Sequence, residues 1–113
     1  MREMARKFVQ VLGIIFIILG VVGFFLPMED IFHLTTMHNI VHLVSGIIAL
    51  IMARSESGAI LFAKVFGVIY LLVAIIGLFT HEFIGIVFLF ADNVLHFIIA
   101  FASLYVGFAS KKV

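Results

Sequence analysis

Apolar residues run through nearly the whole chain in blocks of membrane-crossing length, separated by three short interruptions. Crossing a bilayer as a helix takes about 17–25 predominantly apolar residues, and four segments meet that requirement: 8–26, 36–54, 60–79 and 92–110. Blocks this long read as helices rather than strands, so the pattern predicts four transmembrane helices. Pro27 ends the first helix, Thr35 or Thr36 can cap the second, and Ser55-Glu56-Ser57-Gly58 forms a short turn between the second and third. The last interruption differs in kind. Phe83-Ile84-Gly85-Ile86-Val87-Phe88-Leu89-Phe90 is too apolar for a solvated loop and too short to span, so it is expected to lie in the interface or fold over the bundle mouth.

A second pattern is superimposed on the first. Met37-His38-Asn39-Ile40-Val41-His42 recurs fifty-four positions later as Ala91-Asp92-Asn93-Val94-Leu95-His96. At that offset 8–56 aligns with 62–110 without a gap, with nine identities that include Phe8/Phe62, Gly13/Gly67, Gly23/Gly77, Asn39/Asn93 and His42/His96. Two helices return the chain to its starting side, so the halves share one orientation and form a parallel repeat. The expected fold is all-α: one membrane domain over 1–113, a four-transmembrane-helix bundle made of two helical hairpins with a pseudo-two-fold axis along the membrane normal.

Composition agrees with this reading, because 65% hydrophobic residues, 12% charged residues and a mean hydropathy of +1.39 lie outside the range of soluble domains. The first apolar run follows Arg2, Arg6 and Lys7 as a secretory signal would, yet it is long for a signal core. Gly23-Phe24-Phe25-Leu26-Pro27 also lacks a small-x-small cleavage pattern, so the run is read as a retained helix. The chain has no cysteine, which excludes disulfides, thiolate metal sites and thiol redox chemistry.

Charge is sorted by side. Arg2, Arg6, Lys7, Arg54, Lys64, Lys111 and Lys112 all fall on one side of a four-helix threading, which by the positive-inside rule places both termini in the cytoplasm. Arg54 and Lys64 are read as topology and headgroup anchors. Glu29, Asp30, Glu82 and Asp92 gather on the other side with His33, His38, His42, His81 and His96.

Residues four apart share a helix face, so His38 projects with His42, and Asp92 with His96. The same stripes continue as Ser45, Gly46, Ala49 and Ala53, and as Ala100, Ser103 and Gly107, small residues of the kind that mark close helix packing in membranes. The polar pairs therefore face the bundle interior about one turn below its outer boundary. Buried ionisable groups in a membrane segment point to function. Three imidazoles and a carboxylate, two per helix, match the donor preferences of zinc, copper or iron, and Asn39 and Asn93 stand one residue along to hydrogen-bond the imidazoles and fix their tautomers.

Other readings use the same residues. The cluster can serve as polar glue, with Asp92, His38 and Asn39 satisfying helix-start amides and the histidines bonding across the bundle. His42 and His96 can also be the axial ligands of a b-type haem walled by Phe16, Phe25, Phe66, Phe79 and Tyr70. His33 and His81 are read as solvated loop residues, Met28 and Met37 as packing residues. No nucleophile–base pair, glycine-rich phosphate loop or H-E-x-x-H occurs, so no enzyme is expected. The inner half of the histidine stripe carries no ionisable residue, which disfavours a proton relay or ion transport. The expected partners are the lipid bilayer, a metal ion, and a second copy or larger membrane complex, with no nucleic acid.

The H-N-x-x-H at 38–42, the D-N-x-x-H at 92–96 and the G-x-x-x-x-x-x-G/A-x-x-G spacing in helices one and three resemble a bacterial family of small four-helix membrane proteins classified only as a domain of unknown function. The resemblance covers 8–110. It implies the fold and a multi-pass location in the bacterial inner (plasma) membrane, and no activity.

Overall fold

The computed structural model describes residues 4–25, 36–80, 82–83, 86–87 and 90–110. Among these stand four helices, α1 (Met4–Phe25), α2 (Thr36–Met52), α3 (Glu56–Phe79) and α4 (Phe90–Ala109), with a small antiparallel hairpin of β1 (Glu82–Phe83) and β2 (Ile86–Val87) between α3 and α4. The protein is an all-α four-helix bundle. Helices α1, α3 and α4 are long and apolar enough to cross a membrane, and α2, with 17 residues, is shorter. Pro27, Met28, Glu29, Asp30, His33, Thr35 and His81 lie outside the described residues.

The helices pack as two hairpins, α1 along α2 and α3 along α4, with α1 and α3 the principal contact between them. Close approach within the first hairpin depends on missing side chains. A Cβ placed on Gly46 would stand 2.7 Å from the Gly13 carbonyl oxygen, so the two backbones meet where neither residue has a side chain. Between the hairpins Phe16 of α1 packs against Phe66 and Tyr70 of α3 at ring-centroid distances of 5.7 and 5.6 Å. Among the described residues no Cα atoms of α2 and α4 come within 8 Å of each other. The gap between them is where the polar side chains sit.

Apolar side chains cover the outside as well as filling the core. Ile14, Ile18, Ile47, Ile51, Leu72 and Ile98 are exposed on the outside, whereas His38, Asn39, His42, Asp92 and His96 are buried. The small-residue stripes Ser45, Gly46, Ala49 and Ala53, and Ala100, Ser103 and Gly107, are buried as their spacing predicts.

Three helix starts differ from the sequence expectation, and the helix ends agree to within two residues. Helix α1 begins at Met4, ahead of residue 8. Helix α3 begins at Glu56 rather than at residue 60, because Ser55 in extended conformation caps it, its side chain accepting the Gly58 N–H at 3.0 Å. The Ser-Glu-Ser-Gly segment is thus a cap and a first helical turn. Helix α4 begins at Phe90, which puts Asp92 inside its first turn rather than at the cap. A carboxylate there still favours the positive end of the helix dipole.

Glu56 ties the basic end of the bundle together. Its buried carboxylate accepts the Ala5 N–H at 3.4 Å and the Arg6 N–H at 3.0 Å, satisfying amides in the first turn of α1. Arg6 in turn donates from Nε to the Ala53 carbonyl just beyond α2 at 3.1 Å. Three helix ends are joined by one acid and one arginine. At the opposite end the β-hairpin reaches back over the bundle, with β2 against α2 and Ile86 half-buried, in line with the apolar segment folding over the mouth.

Candidate polar site between α2 and α4

The first two turns of α2 and α4 carry the site, since side chains four apart on a helix stack along one face. His38 and His42 of α2 have ring centroids 4.3 Å apart, and His38 lies 6.0 Å from His96 of α4. Asp92 of α4 lines the same cavity as the three histidines, together with Phe16, Leu19, Tyr70, Leu95 and Ile99. Each of the four polar residues is at most 6% exposed. The four predicted ligands are therefore brought to one place, in the gap that the two backbones leave open.

Aromatic rings fix the imidazoles from the α1 and α3 side. Phe16 stacks almost parallel on His42 at 5.5 Å and 10°, while Tyr70 meets His96 edge-on at 5.4 Å and 71°. Phe16 and Tyr70 are themselves fifty-four residues apart, as are His42 and His96, so equivalent positions of the sequence repeat make equivalent partnerships. Sequence reasoning considered Phe16 and Tyr70 only as haem-pocket walls. The signal that could have placed them against the histidines was the repeat offset. The cavity they enclose holds about 30 Å³, the space of one or two waters or a small ion, and not that of a porphyrin. Phe25 and Phe79, two of the three remaining residues expected to wall a haem, are largely exposed, and Phe66 is half-buried.

The asparagines turn away from the imidazoles. Asn93 donates from Nδ2 to the Gly77 carbonyl of α3 at 3.0 Å, and its Oδ1 is buried with no hydrogen-bond partner. Asn39 packs so closely on Gly23 of α1 that a Cβ there would overlap its side-chain amide. Both asparagines thus meet the glycine of their own hairpin partner, at matching positions of the repeat, and act between helices.

Asn39 and Ser103, like Asn93, bury an oxygen without a hydrogen-bond partner, and His42 buries its Nδ1 in the same state. Such atoms are costly in an apolar medium. Among the described residues no three His, Asp or Glu side chains already stand in a metal-ligating array. With metal–nitrogen bonds of about 2.0–2.1 Å, two imidazoles on one tetrahedral ion have ring centroids about 5 Å apart. The separations of 4.3 and 6.0 Å bracket that value.

Residues 6–109 match the family model described as Domain of unknown function (DUF4383). The chain belongs to this family. Membership in DUF4383 spans all four helices and both polar hexapeptides, and agrees with the resemblance drawn from the sequence. No curated protein and no solved structure matches the chain.

Proposed function

We propose that this DUF4383 protein is a non-catalytic, multi-pass protein of the bacterial plasma membrane that holds one transition-metal ion, zinc, copper or iron, between α2 and α4 through His38, His42, Asp92 and His96. The observation that carries the reading is the convergence of three imidazoles and a carboxylate on one cavity of about 30 Å³ inside an otherwise apolar bundle. The donor set suits borderline metals, and the cavity suits an ion and little more. Both imidazoles of α2 already line that space.

The membrane assignment rests on the exposed Ile, Val, Leu and Phe side chains around all four helices and on a longest dimension of 42 Å, close to the roughly 40–45 Å of a bilayer with its headgroups. The basic end, where Arg6, Arg54 and Lys64 lie, faces the cytoplasm, and the metal site lies in the extracytoplasmic half.

One other reading has an observation in its favour. The unassembled ligand geometry and the ring stacking on Phe16 and Tyr70 also fit a cluster that only holds the two hairpins together. Metal analysis of the detergent-purified protein separates the two: one equivalent of zinc, copper or iron, lost in His42→Ala and His96→Ala, supports the metal site. Well-folded, metal-free protein whose variants lose only thermal stability supports the structural cluster.

A further inference from the structure

At the repeat offset of fifty-four, three pairs of residues lining the cavity between α2 and α4 correspond: Phe16 with Tyr70, His38 with Asp92, and His42 with His96. The last pair is identical and the first two are not. In each of those two the second half carries an oxygen where the first has none, a hydroxyl added to a phenyl ring and a carboxylate in place of an imidazole. Both departures from the repeat fall on residues that line one cavity of about 30 Å³. We infer that the ion held there is ferric iron, and that the phenolate oxygen of Tyr70 is its fifth ligand. The inference rests on the proposed metal site and names which ion that site takes.

Tyr70 is 5% exposed and carries the one hydroxyl among the residues that line this cavity. Its ring centroid lies 5.4 Å from that of His96. With metal–nitrogen and metal–oxygen bonds of about 2.0–2.2 Å, a phenolate and an imidazole bound at right angles to one ion have ring centroids about 5.5 Å apart. Tyr70 thus stands from His96 at the separation that a shared ion sets.

The enlarged donor set selects the ion. Cuprous copper favours soft thiolate and thioether donors, and zinc is complete with four ligands, so neither uses a phenolate beside a carboxylate. Iron accepts a tyrosine oxygen as a ligand. Charge makes the same selection. Ferric iron with Asp92 and Tyr70 leaves in the apolar bundle the single positive charge that a divalent ion leaves with Asp92 alone, so the costly buried charge is no greater. On binding, the phenol proton leaves to solvent and the oxygen bonds the iron in its place, with no change of oxidation state.

The chain has two tyrosines, and the other, Tyr105, is exposed on α4, so a tyrosine-to-iron signal is assigned by substitution. Full-length protein in detergent is loaded with ferric citrate and freed of excess, and iron content and visible spectrum are recorded for the wild type, Tyr70→Phe and Tyr105→Phe. Phenylalanine at 70 keeps the ring that packs on Phe16 and Phe66. Expected is a visible phenolate-to-iron charge-transfer band in the wild type and Tyr105→Phe that is absent from Tyr70→Phe, with iron lost from Tyr70→Phe to competing citrate that leaves the wild type loaded. Bound ferric iron without the band, a band that survives in Tyr70→Phe, or protein that takes zinc or copper but no iron overturns the inference and leaves the metal site standing. Protein that takes none of the three metals overturns both.

Discussion

Tyr70 and His96 meet edge-on, their ring centroids 5.4 Å apart, while the repeat-equivalent pair Phe16 and His42 stacks nearly flat at 5.5 Å. The contact distance is common to the two halves and the ring orientation is not. Each half therefore supplies an aromatic support for its histidine from the neighbouring helix of its own hairpin. The supports also touch each other, with Phe16 and Tyr70 5.6 Å apart, so the histidines are held by one aromatic cluster at the centre of the bundle.

Phe16→Ala removes that central ring. Truncating a buried phenylalanine costs about 3–5 kcal/mol through lost contacts and the cavity left behind, and Phe16 is 1% exposed. The melting temperature in detergent should fall well below that of the wild type, whereas Phe24→Ala, on the exposed face of the same helix, should leave it nearly unchanged. Equal effects of the two would place the core elsewhere.

Gly23→Ala brings a methyl group onto the Asn39 amide. Overpacking of this kind costs about 1–3 kcal/mol. Because the added atom meets a side chain, Asn39→Ala introduced together with Gly23→Ala should restore part of the lost stability. A double variant no better than the single one would contradict the proposed contact.

Asn93→Ala removes the hydrogen bond to the Gly77 carbonyl. Bonds between helices in membranes average about 0.6 kcal/mol, with a maximum near 1.7, so a modest drop in melting temperature is expected, with metal content unchanged. Loss of metal in Asn93→Ala would instead assign this residue to the imidazoles.

Glu56→Ala strips the carboxylate from the start of α1. Loss of a capping acceptor costs about 0.5–2 kcal/mol, and the buried Ala5 amide and the half-buried Arg6 amide are left without it. Exchange of these two amides with deuterium should accelerate in Glu56→Ala while the middle of α1 stays protected. Unchanged exchange at residues 5 and 6 would show that the cap does not hold the helix end.

Much of this was legible in the chain. Helix number and type followed from apolar block length, and the inward faces followed from residues four apart, which is why His38, His42, Asp92 and His96 were found together on one cavity. Less legible were features set by contacts between distant residues. Glu56 reads locally as part of a polar turn, and only the fold brings the start of α1 within reach of it. Asn93 reads as an extension of the ligand stripe beside Asp92, yet adjacent residues on a helix point about 100° apart, and its amide faces α3 instead. The apolar segment before α4 gave its location by hydropathy but not its hairpin, because the Glu82–Val87 pairing is only two residues deep.

The central claim is that four side chains of α2 and α4 hold an ion, and the most direct measurement is elemental analysis of the wild type beside His42→Ala, His96→Ala and Asp92→Asn after equilibration with zinc, copper or iron and removal of excess. The account predicts about one ion per chain in the wild type and little or none in the three variants, each still folded by its helical circular dichroism. Wild-type protein that retains no metal, or variants that retain as much as the wild type, would contradict it.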